Sequence, residues 1–154
     1  MDMTLRWYGE GNDSVTLDQI RQIPGVTGVI TALHDIPAGE AWTYEDVMKR
    51  KQEVEAKGLK LVGVESINVH EDIKIGLPTR DELIENYCKS LEAIGKADIH
   101  LVCYNFMPVF DWTRTQLDKK APDGSTSLVM YWEQMKGLDP LTDDINLPGW
   151  DASY

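Results

Sequence analysis

Polar side chains lie where apolar segments of the chain end, at positions from which they could act on a ligand. Glu65 ends one such segment, and His34 and Asn105 each follow another. If these segments are parallel strands, their carboxyl ends meet at one edge of a sheet, where α/β proteins bind ligands. Glu65 could bind a metal, a sugar hydroxyl or a proton, or instead form a salt bridge or cap a helix. His34 could be a general acid or a ligand, because its ordinary pKa is closest to neutrality, or a hydrogen-bonded structural residue.

Further residues could recognise a polar, anionic ligand. The amide of Asn105 both donates and accepts hydrogen bonds, which suits a polyol or a carboxylate. Arg114 could bind a carboxylate in bidentate geometry, or pair with the nearby Asp111 and be neutralised. Trp7 and Tyr8 end the first apolar segment and are candidates for the same edge. Together these residues favour a polar ligand without naming it.

Short motifs for nucleotide binding and serine hydrolysis are absent from the sequence. There is no GxGxxG or GxxxxGKS/T loop, no HExxH and no GxSxG. No cluster of His, Cys and carboxylate residues has the spacing of metal ligands. Cys88 and Cys103 are far apart in sequence, so neither a disulfide framework nor a zinc knuckle is indicated. We therefore expect a reducing, cytoplasmic setting.

The net charge argues against nucleic acid as a partner. The chain carries 26 acidic against 15 basic residues, a formal charge of -11, whereas binding to a phosphate backbone depends on clustered Lys and Arg. A site for an organic anion would need local cations or a bound metal to reverse the sign of the field. The sequence has no export signal and no run of about 18 apolar residues, so no membrane association is expected.

Strand and helix patterns alternate along residues 3–104, as in βαβ units. Apolar, β-branched segments predict strands at 5–8, 26–31, 60–65 and 99–104. Three amphipathic segments between them predict helices. This alternation predicts an α/β fold with parallel strands and right-handed crossovers.

Threonines begin the predicted helices. Thr16 and Thr43 can act as N-caps, and Thr79 begins a capping-box sequence, Thr-Arg-Asp-Glu. The helix after Thr79 has a continuous apolar stripe, and Cys88 within that stripe is predicted to be a core residue. The polar segment 66–78 before it is expected to cross the surface.

The segment 105–154 breaks the alternation. It has no comparable helix, and prolines are spread among scattered aromatic residues. Because disordered segments are poor in aromatic residues, we expect a long, packed, irregular arm. The chain is accordingly predicted to be a single partial domain, 1–154, with βα units at about 3–104 followed by the arm at about 105–154.

Several long strings of the sequence resemble the mannonate dehydratase family. They are RWYG at 6–9, ESINVHEDIK at 65–74 and CYNFMPVFDWTR at 103–114, with shorter strings at 31–37, 122–127 and 147–150. Long, ordered and uncommon strings are far more specific than a lone short motif. The resemblance covers nearly the whole chain.

The resemblance implies a (β/α)8 TIM barrel of the xylose-isomerase-like kind. It also implies a lyase that uses Mn2+ or Fe2+ to dehydrate D-mannonate to 2-keto-3-deoxy-D-gluconate in hexuronate (glucuronate) catabolism. A divalent ion chelated by the substrate would acidify the C2 proton while the C3 hydroxyl departs. Enzymes of this family are roughly twice as long, since a typical barrel needs about 250 residues. We therefore expect the N-terminal half of a barrel.

The expected site residues follow from this comparison. The family's metal ligands come from later strands, so no metal ligand is expected within this chain, and the chain alone is expected to be inactive. The residues expected to face the substrate, by their strand-end positions and their place in the matching strings, are Trp7, Tyr8, His34, Glu65, Asn105 and Arg114.

Two alternatives to mannonate dehydration stay open at the level of sequence. One is another metal-dependent sugar isomerase or epimerase built on the same barrel. The other is a non-catalytic fragment that self-associates, because an unclosed parallel sheet leaves strand edges and apolar faces unprotected. A homo-oligomer is expected in either case.

Overall fold

The protein is described from a computed structural model, in which residues 2–106 and 114–137 are described. The chain divides into two compact units, Met1–Phe106 and Met107–Tyr154. Each unit is described by itself. Within these residues, every helix is too short or too polar to cross a lipid bilayer.

The first unit is built on a parallel four-stranded sheet in the order β1-β2-β3-β4. The strands are β1 (Met3–Arg6), β2 (Val26–Thr31), β3 (Lys60–Glu65) and β4 (Val102–Cys103). The two middle strands have the predicted bounds, whereas β1 and β4 are shifted or shorter than predicted. The α/β class with sequential parallel strands is therefore confirmed, and it matches the first half of a barrel.

Four helices connect these strands, one more than predicted. They are α1 (Leu17–Arg21), α2 (Tyr44–Glu55), α3 (Glu71–Ile75) and α4 (Arg80–Lys96). Helices α1 and α2 begin with complete capping boxes, in which Thr16 pairs with Gln19 and Thr43 pairs with Asp46. The two predicted caps are therefore confirmed, because each side chain satisfies a backbone amide that has no partner within the helix.

The capping box predicted at Thr79 is wrong. Thr79 already has helical backbone angles and makes no side-chain cap bond; its hydroxyl instead donates to the Asp72 carboxylate at 2.5 Å. The cause is the short helix α3, which the sequence analysis did not predict. His70 caps α3 by accepting a hydrogen bond from the Asp72 amide at its Nδ1, so this histidine has a structural role.

The core lies between the sheet and the helices. Trp7, Val29, Val54 and Ile94 are each 2% exposed or less, and they come from a strand end, a strand and two different helices. Helix α2 packs on β3 and on α4. Burial of such side chains, at about 1.5–3 kcal/mol each, fixes the helices on one face of the sheet.

Ser90 links α4 to the loop that precedes α2. Its buried hydroxyl accepts a hydrogen bond from the Trp42 amide at 2.9 Å and donates to the Asn86 carbonyl at 3.0 Å. The nearby carbonyl of Gly39 accepts a bond from the Asn86 side chain at 3.0 Å. These bonds satisfy buried backbone groups of the long loop after β2 and hold it against the helix.

Part of the apolar surface of α4 is open to solvent, and the core assignment of Cys88 is wrong. Cys88 is exposed, and Ile84 and Leu91 on the same helix face are 43% and 39% exposed. Each of these two residues lies about one turn from Cys88, on a face adjacent to the one that Ile94 buries. An apolar groove of about 360 Å³ runs beside this face, lined by Val69, Ile73, Ile84, Tyr87, Leu91, Val102, Tyr104 and Phe106.

The second unit contains regular structure that the sequence analysis missed. Strands β5 (Gln116–Lys120) and β6 (Thr126–Val129) form an antiparallel hairpin, and a short helix, α5 (Trp132–Met135), follows. Asp123 accepts hydrogen bonds from the backbone and the hydroxyl of Ser125 at the turn, and Gly124 there has φ +85°. The description of the arm as irregular therefore needs correction for residues 114–137; the rest of the arm, apart from 105–106, lies outside the described residues.

Replacing Ser90 by alanine tests the link between α4 and the loop. Ser90→Ala leaves the Trp42 amide without its buried partner, which should lower the free energy of unfolding by about 1–3 kcal/mol. Urea denaturation followed by tryptophan fluorescence measures the change. The control is Ser14→Ala, at an exposed position, which should stay within about 0.5 kcal/mol of the parent. Equal stability of the two variants would contradict the role assigned to Ser90.

A charge placed in the groove should weaken the self-association expected for an open sheet. Leu91→Glu would have to bury a carboxylate at any contact formed there, so the concentration at which the chain associates should rise about tenfold or more. Sedimentation velocity over a concentration series measures this. Ile23→Glu is the control, because Ile23 is similarly exposed at 42% but lies outside the groove. An equal effect of both changes would mean that association is not located at the groove.

Candidate functional site

At the end of β1, one residue faces the core and its two neighbours in sequence face the opposite side of the sheet. Trp7 is 2% exposed and belongs to the core, and its amide donates to the Ile30 carbonyl at 2.9 Å. Because side chains alternate along extended backbone, Arg6 and Tyr8 are on the other face. Tyr8 is 49% exposed. The carboxyl edge of the sheet thus presents an arginine and a tyrosine on the face that the core does not occupy.

Arg6 joins the ends of two strands. Its Nη1 lies 3.1 Å from Oε2 of Glu65, the last residue of β3. Its guanidinium carbon lies 4.6 Å from the centroid of the Tyr8 ring, a cation–π distance. The next peptide bond after Glu65, to Ser66, is cis. The ion pair of Arg6 with Glu65 thus joins the ends of β1 and β3 across β2.

His34 completes a group that we call the strand-end cluster, defined as Arg6, Tyr8, His34 and Glu65. Its ring stacks on that of Tyr8, with centroids 5.6 Å apart and an interplanar angle of 29°. Partial burial lowers the pKa of His34 most, and the positive charges of Arg6 and then Arg50 lower it further, against an opposing effect of Asp35. A neutral imidazole at neutral pH can accept a proton.

A tight loop after Tyr8 holds this residue in place. One carboxylate oxygen of Asp13 accepts from the Tyr8 amide at 3.0 Å and the other from the Val15 amide at 2.9 Å. The Trp7 indole donates to the Val15 carbonyl at 3.2 Å. Gly9 has φ +98°, a conformation that favours glycine, and a side chain there would lie 3.1 Å from Nη1 of Arg50.

The structure brings together three of the six residues expected from the sequence. Tyr8, His34 and Glu65 share the strand-end cluster. Trp7 is in the core, so it supports the cluster from behind the sheet. Asn105 is half-buried and follows β4, at the opposite edge of the sheet from β1. Arg114 belongs to the second unit, directly before the hairpin.

Two arginines near the site were missed by the sequence analysis. Arg6 is the last residue of β1 and lies two residues before Tyr8, and this spacing in extended backbone is the signal that could have identified it. Arg50 lies in α2, and no sequence signal connects it with the strand ends. Its side chain is 12% exposed and pairs with Glu53 at 3.0 Å and with Asp35 at 3.7 Å.

The described residues do not form a metal centre. Within residues 2–106 and 114–137, no three His, Cys, Asp or Glu side chains come close enough together to hold a metal ion. The donor set of the strand-end cluster, with one carboxylate already paired to an arginine, does not fit a divalent ion either.

Comparison with known proteins identifies the family. The sequence profile of the D-mannonate dehydratase (UxuA) family matches residues 1–153. This chain belongs to the mannonate dehydratase family. It is 56% identical over its whole length to the mannonate dehydratase of Streptococcus pneumoniae, of which it covers 42%. It is 54% identical to the mannonate dehydratase of Thermotoga maritima over 98% of this chain and 44% of that protein.

A solved mannonate dehydratase has the same fold over the matching part. The crystal structure of the Streptococcus suis serotype 2 enzyme superposes with a TM-score of 0.84 at 52% identity, covering 92% of this chain and 40% of that one. The family and the fold inferred from the sequence strings are thus confirmed. The chain spans about two fifths of the length of the curated relatives it matches.

The pKa of His34 should respond to Arg6. In Arg6→Gln the positive charge beside the imidazole is lost, so the pKa of His34 should rise, yet stay below its ordinary value because burial is the larger cause. NMR titration of the imidazole protons measures both values. Arg21→Gln, at an exposed arginine of α1, is the control and should leave the pKa of His34 unchanged. A fall of this pKa in Arg6→Gln would contradict the electrostatic assignment.

Proposed function

We propose that this protein takes part in the dehydration of D-mannonate to 2-keto-3-deoxy-D-gluconate in hexuronate catabolism, a hydro-lyase reaction. Membership of the mannonate dehydratase family supports the reaction. The observation that carries the proposal for this part of the enzyme is the strand-end cluster. It combines an arginine, a carboxylate and an imidazole with a lowered pKa at the carboxyl edge of a parallel sheet, the edge at which barrel enzymes place their active sites.

The chemistry of the cluster fits a hydroxy acid. Elimination of water from such a substrate requires removal of the C2 proton and departure of the C3 hydroxyl. Negative charge develops on the carboxylate side of the molecule, where a cation stabilises it. The imidazole of His34 can accept a proton, Glu65 can accept a hydrogen bond from a substrate hydroxyl, and Arg6 supplies positive charge.

We further propose that the reaction uses Mn2+ or Fe2+, which would acidify the C2 proton when bound. The described residues do not form a set of ligands for such an ion, so the ligands would come from other residues. By itself, the 154-residue chain is then expected to be inactive. The free cysteines of the described part support a reducing, cytoplasmic setting.

A non-catalytic, self-associating role is the second candidate. The specific observation in its favour is the apolar groove beside α4, where Tyr104 and Phe106 are 67% and 56% exposed. Apolar surfaces of this kind mark sites of association. A homo-oligomer in which such contacts occur is therefore proposed alongside the catalytic function. A different sugar isomerase or epimerase activity has no observation of its own in its favour.

A full-length chimera tests the catalytic proposal. In it, this chain replaces the matching part of the Streptococcus suis mannonate dehydratase. We expect the chimera to dehydrate D-mannonate with Mn2+, to lose this activity with EDTA, and to regain it when Mn2+ is restored. The 2-keto product is measured by its reaction with semicarbazide, and the unaltered Streptococcus suis protein is the control for assay and metal.

The competing outcomes are distinct in this assay. Isomerisation or epimerisation of a sugar without loss of water would favour the alternative barrel activity. A folded chimera that does not convert D-mannonate, while the control is active, would show that this chain does not supply functional residues of the active site. In that case self-association would be the better supported role.

A further inference from the structure

We propose that Arg6 is the residue that binds the carboxylate of the sugar acid, with Glu65 holding its guanidinium in place. This inference rests on the function proposed above and names the part of the substrate that the strand-end cluster recognises. The ligand class is an open-chain polyhydroxy acid with an ionised carboxylate.

An anionic substrate needs a local cation in this protein. The formal charge is -11, so the overall field opposes the approach of a sugar acid. Burial lowers the pKa of His34 most, and the positive charges of Arg6 and Arg50 lower it further, each by more than the negative charge of Asp35 raises it. The positively charged surroundings of the imidazole mark the strand-end cluster as a place where an anion is tolerated.

Of these two arginines, Arg50 is already engaged in ion pairs and a ring contact within the protein. Its terminal nitrogens lie 3.0 Å from Glu53 and 3.7 Å from Asp35, and its guanidinium carbon lies 5.4 Å from the Trp7 ring centroid. Its side chain is 12% exposed, against 28% for Arg6. Arg50 therefore shapes the loop behind the site, and Arg6 is the cation that a ligand can reach.

The hydrogen bonds of Arg6 are incomplete among the described residues. One terminal nitrogen pairs with Glu65, while its buried Nε has no hydrogen-bond partner there. A guanidinium has five N–H donors, and a buried donor without a partner is costly. Such a group calls for an explanation, for which a catalytic role, an ion or an ordered water are the usual ones, and here we assign it to the binding role of the arginine.

The neighbours of Arg6 suit the rest of a sugar acid. The exposed ring of Tyr8 contacts the guanidinium of Arg6 and also the imidazole of His34. A sugar acid with its carboxylate on Arg6 would therefore have an aromatic ring and an imidazole near its hydroxyl-bearing carbons. Glu65 is 42% exposed, so solvent weakens its ion pair and it does not cancel the charge of Arg6.

Ligand titration of the 154-residue chain tests the assignment directly. D-Mannonate is added to the isotope-labelled protein and followed by NMR, and D-mannitol is the matched probe without a carboxylate. We expect D-mannonate to shift the signals of Tyr8 and His34, and Arg6→Gln to weaken its binding about 10-fold to 100-fold, as for loss of a hydrogen bond to a charged group. D-Mannitol should bind weakly, and equally, to both proteins.

Two further variants separate recognition from folding. Arg6→Lys keeps the positive charge and the ion pair with Glu65 but loses the planar fork, so its binding should lie between those of the parent and Arg6→Gln. Arg21→Gln removes a distant arginine and should bind D-mannonate as the parent does. If Arg6→Gln does not fold, the assignment is decided by Arg6→Lys, for which parent-like affinity would overturn it.

The chimera described above separates this inference from the proposed function. With Arg6→Gln in the chimera, KM for D-mannonate should rise about tenfold or more. An active chimera whose KM is unchanged by Arg6→Gln would overturn the role of Arg6 and leave mannonate dehydration standing. A chimera without turnover, together with a chain that does not bind D-mannonate, would overturn both.

Discussion

The parallel pairing of β1, β2 and β3 is the constraint on which the site depends. Parallel strands end at the same edge, so residues far apart in sequence, such as Arg6 and Glu65, come within 3.1 Å of each other. A hairpin would instead place the end of one strand beside the start of the next. The helices enforce this arrangement, because each crossover buries its apolar side on the same sheet.

Alternation of side chains at the end of β1 allows one short segment to contribute both to the core and to the strand-end cluster. Trp7 is turned into the core, and its neighbours Arg6 and Tyr8 are turned to the opposite face. The buried indole fixes the strand end, and its hydrogen bond to Val15 also fixes the loop that carries Asp13. The carboxylate of Asp13 in turn accepts a hydrogen bond from the Tyr8 amide. The position of the exposed tyrosine is therefore set by the packing behind it.

The exposed apolar surface of α4 lies beside β4. Among the described residues β4 is an edge strand of the sheet, and the apolar residues beside it line an open groove. An apolar stripe read from sequence thus indicates a helix face that can pack, but the burial of each residue in it depends on tertiary contacts.

The sequence by itself determined the α/β class, the two middle strands, the helix starts at Thr16 and Thr43, and the family. These features depend on local periodicity, on capping by nearby side chains and on long matching strings, all of which can be read along the chain. Only the tertiary structure decided the pairing of Arg6 with Glu65, the proximity of Arg50 to the site, the exposure of Cys88 and the hydrogen bond that Thr79 makes to Asp72 in place of a cap on α4. Each of these depends on contacts between distant segments, where burial and charge are set by what packs alongside and not by the neighbours in sequence.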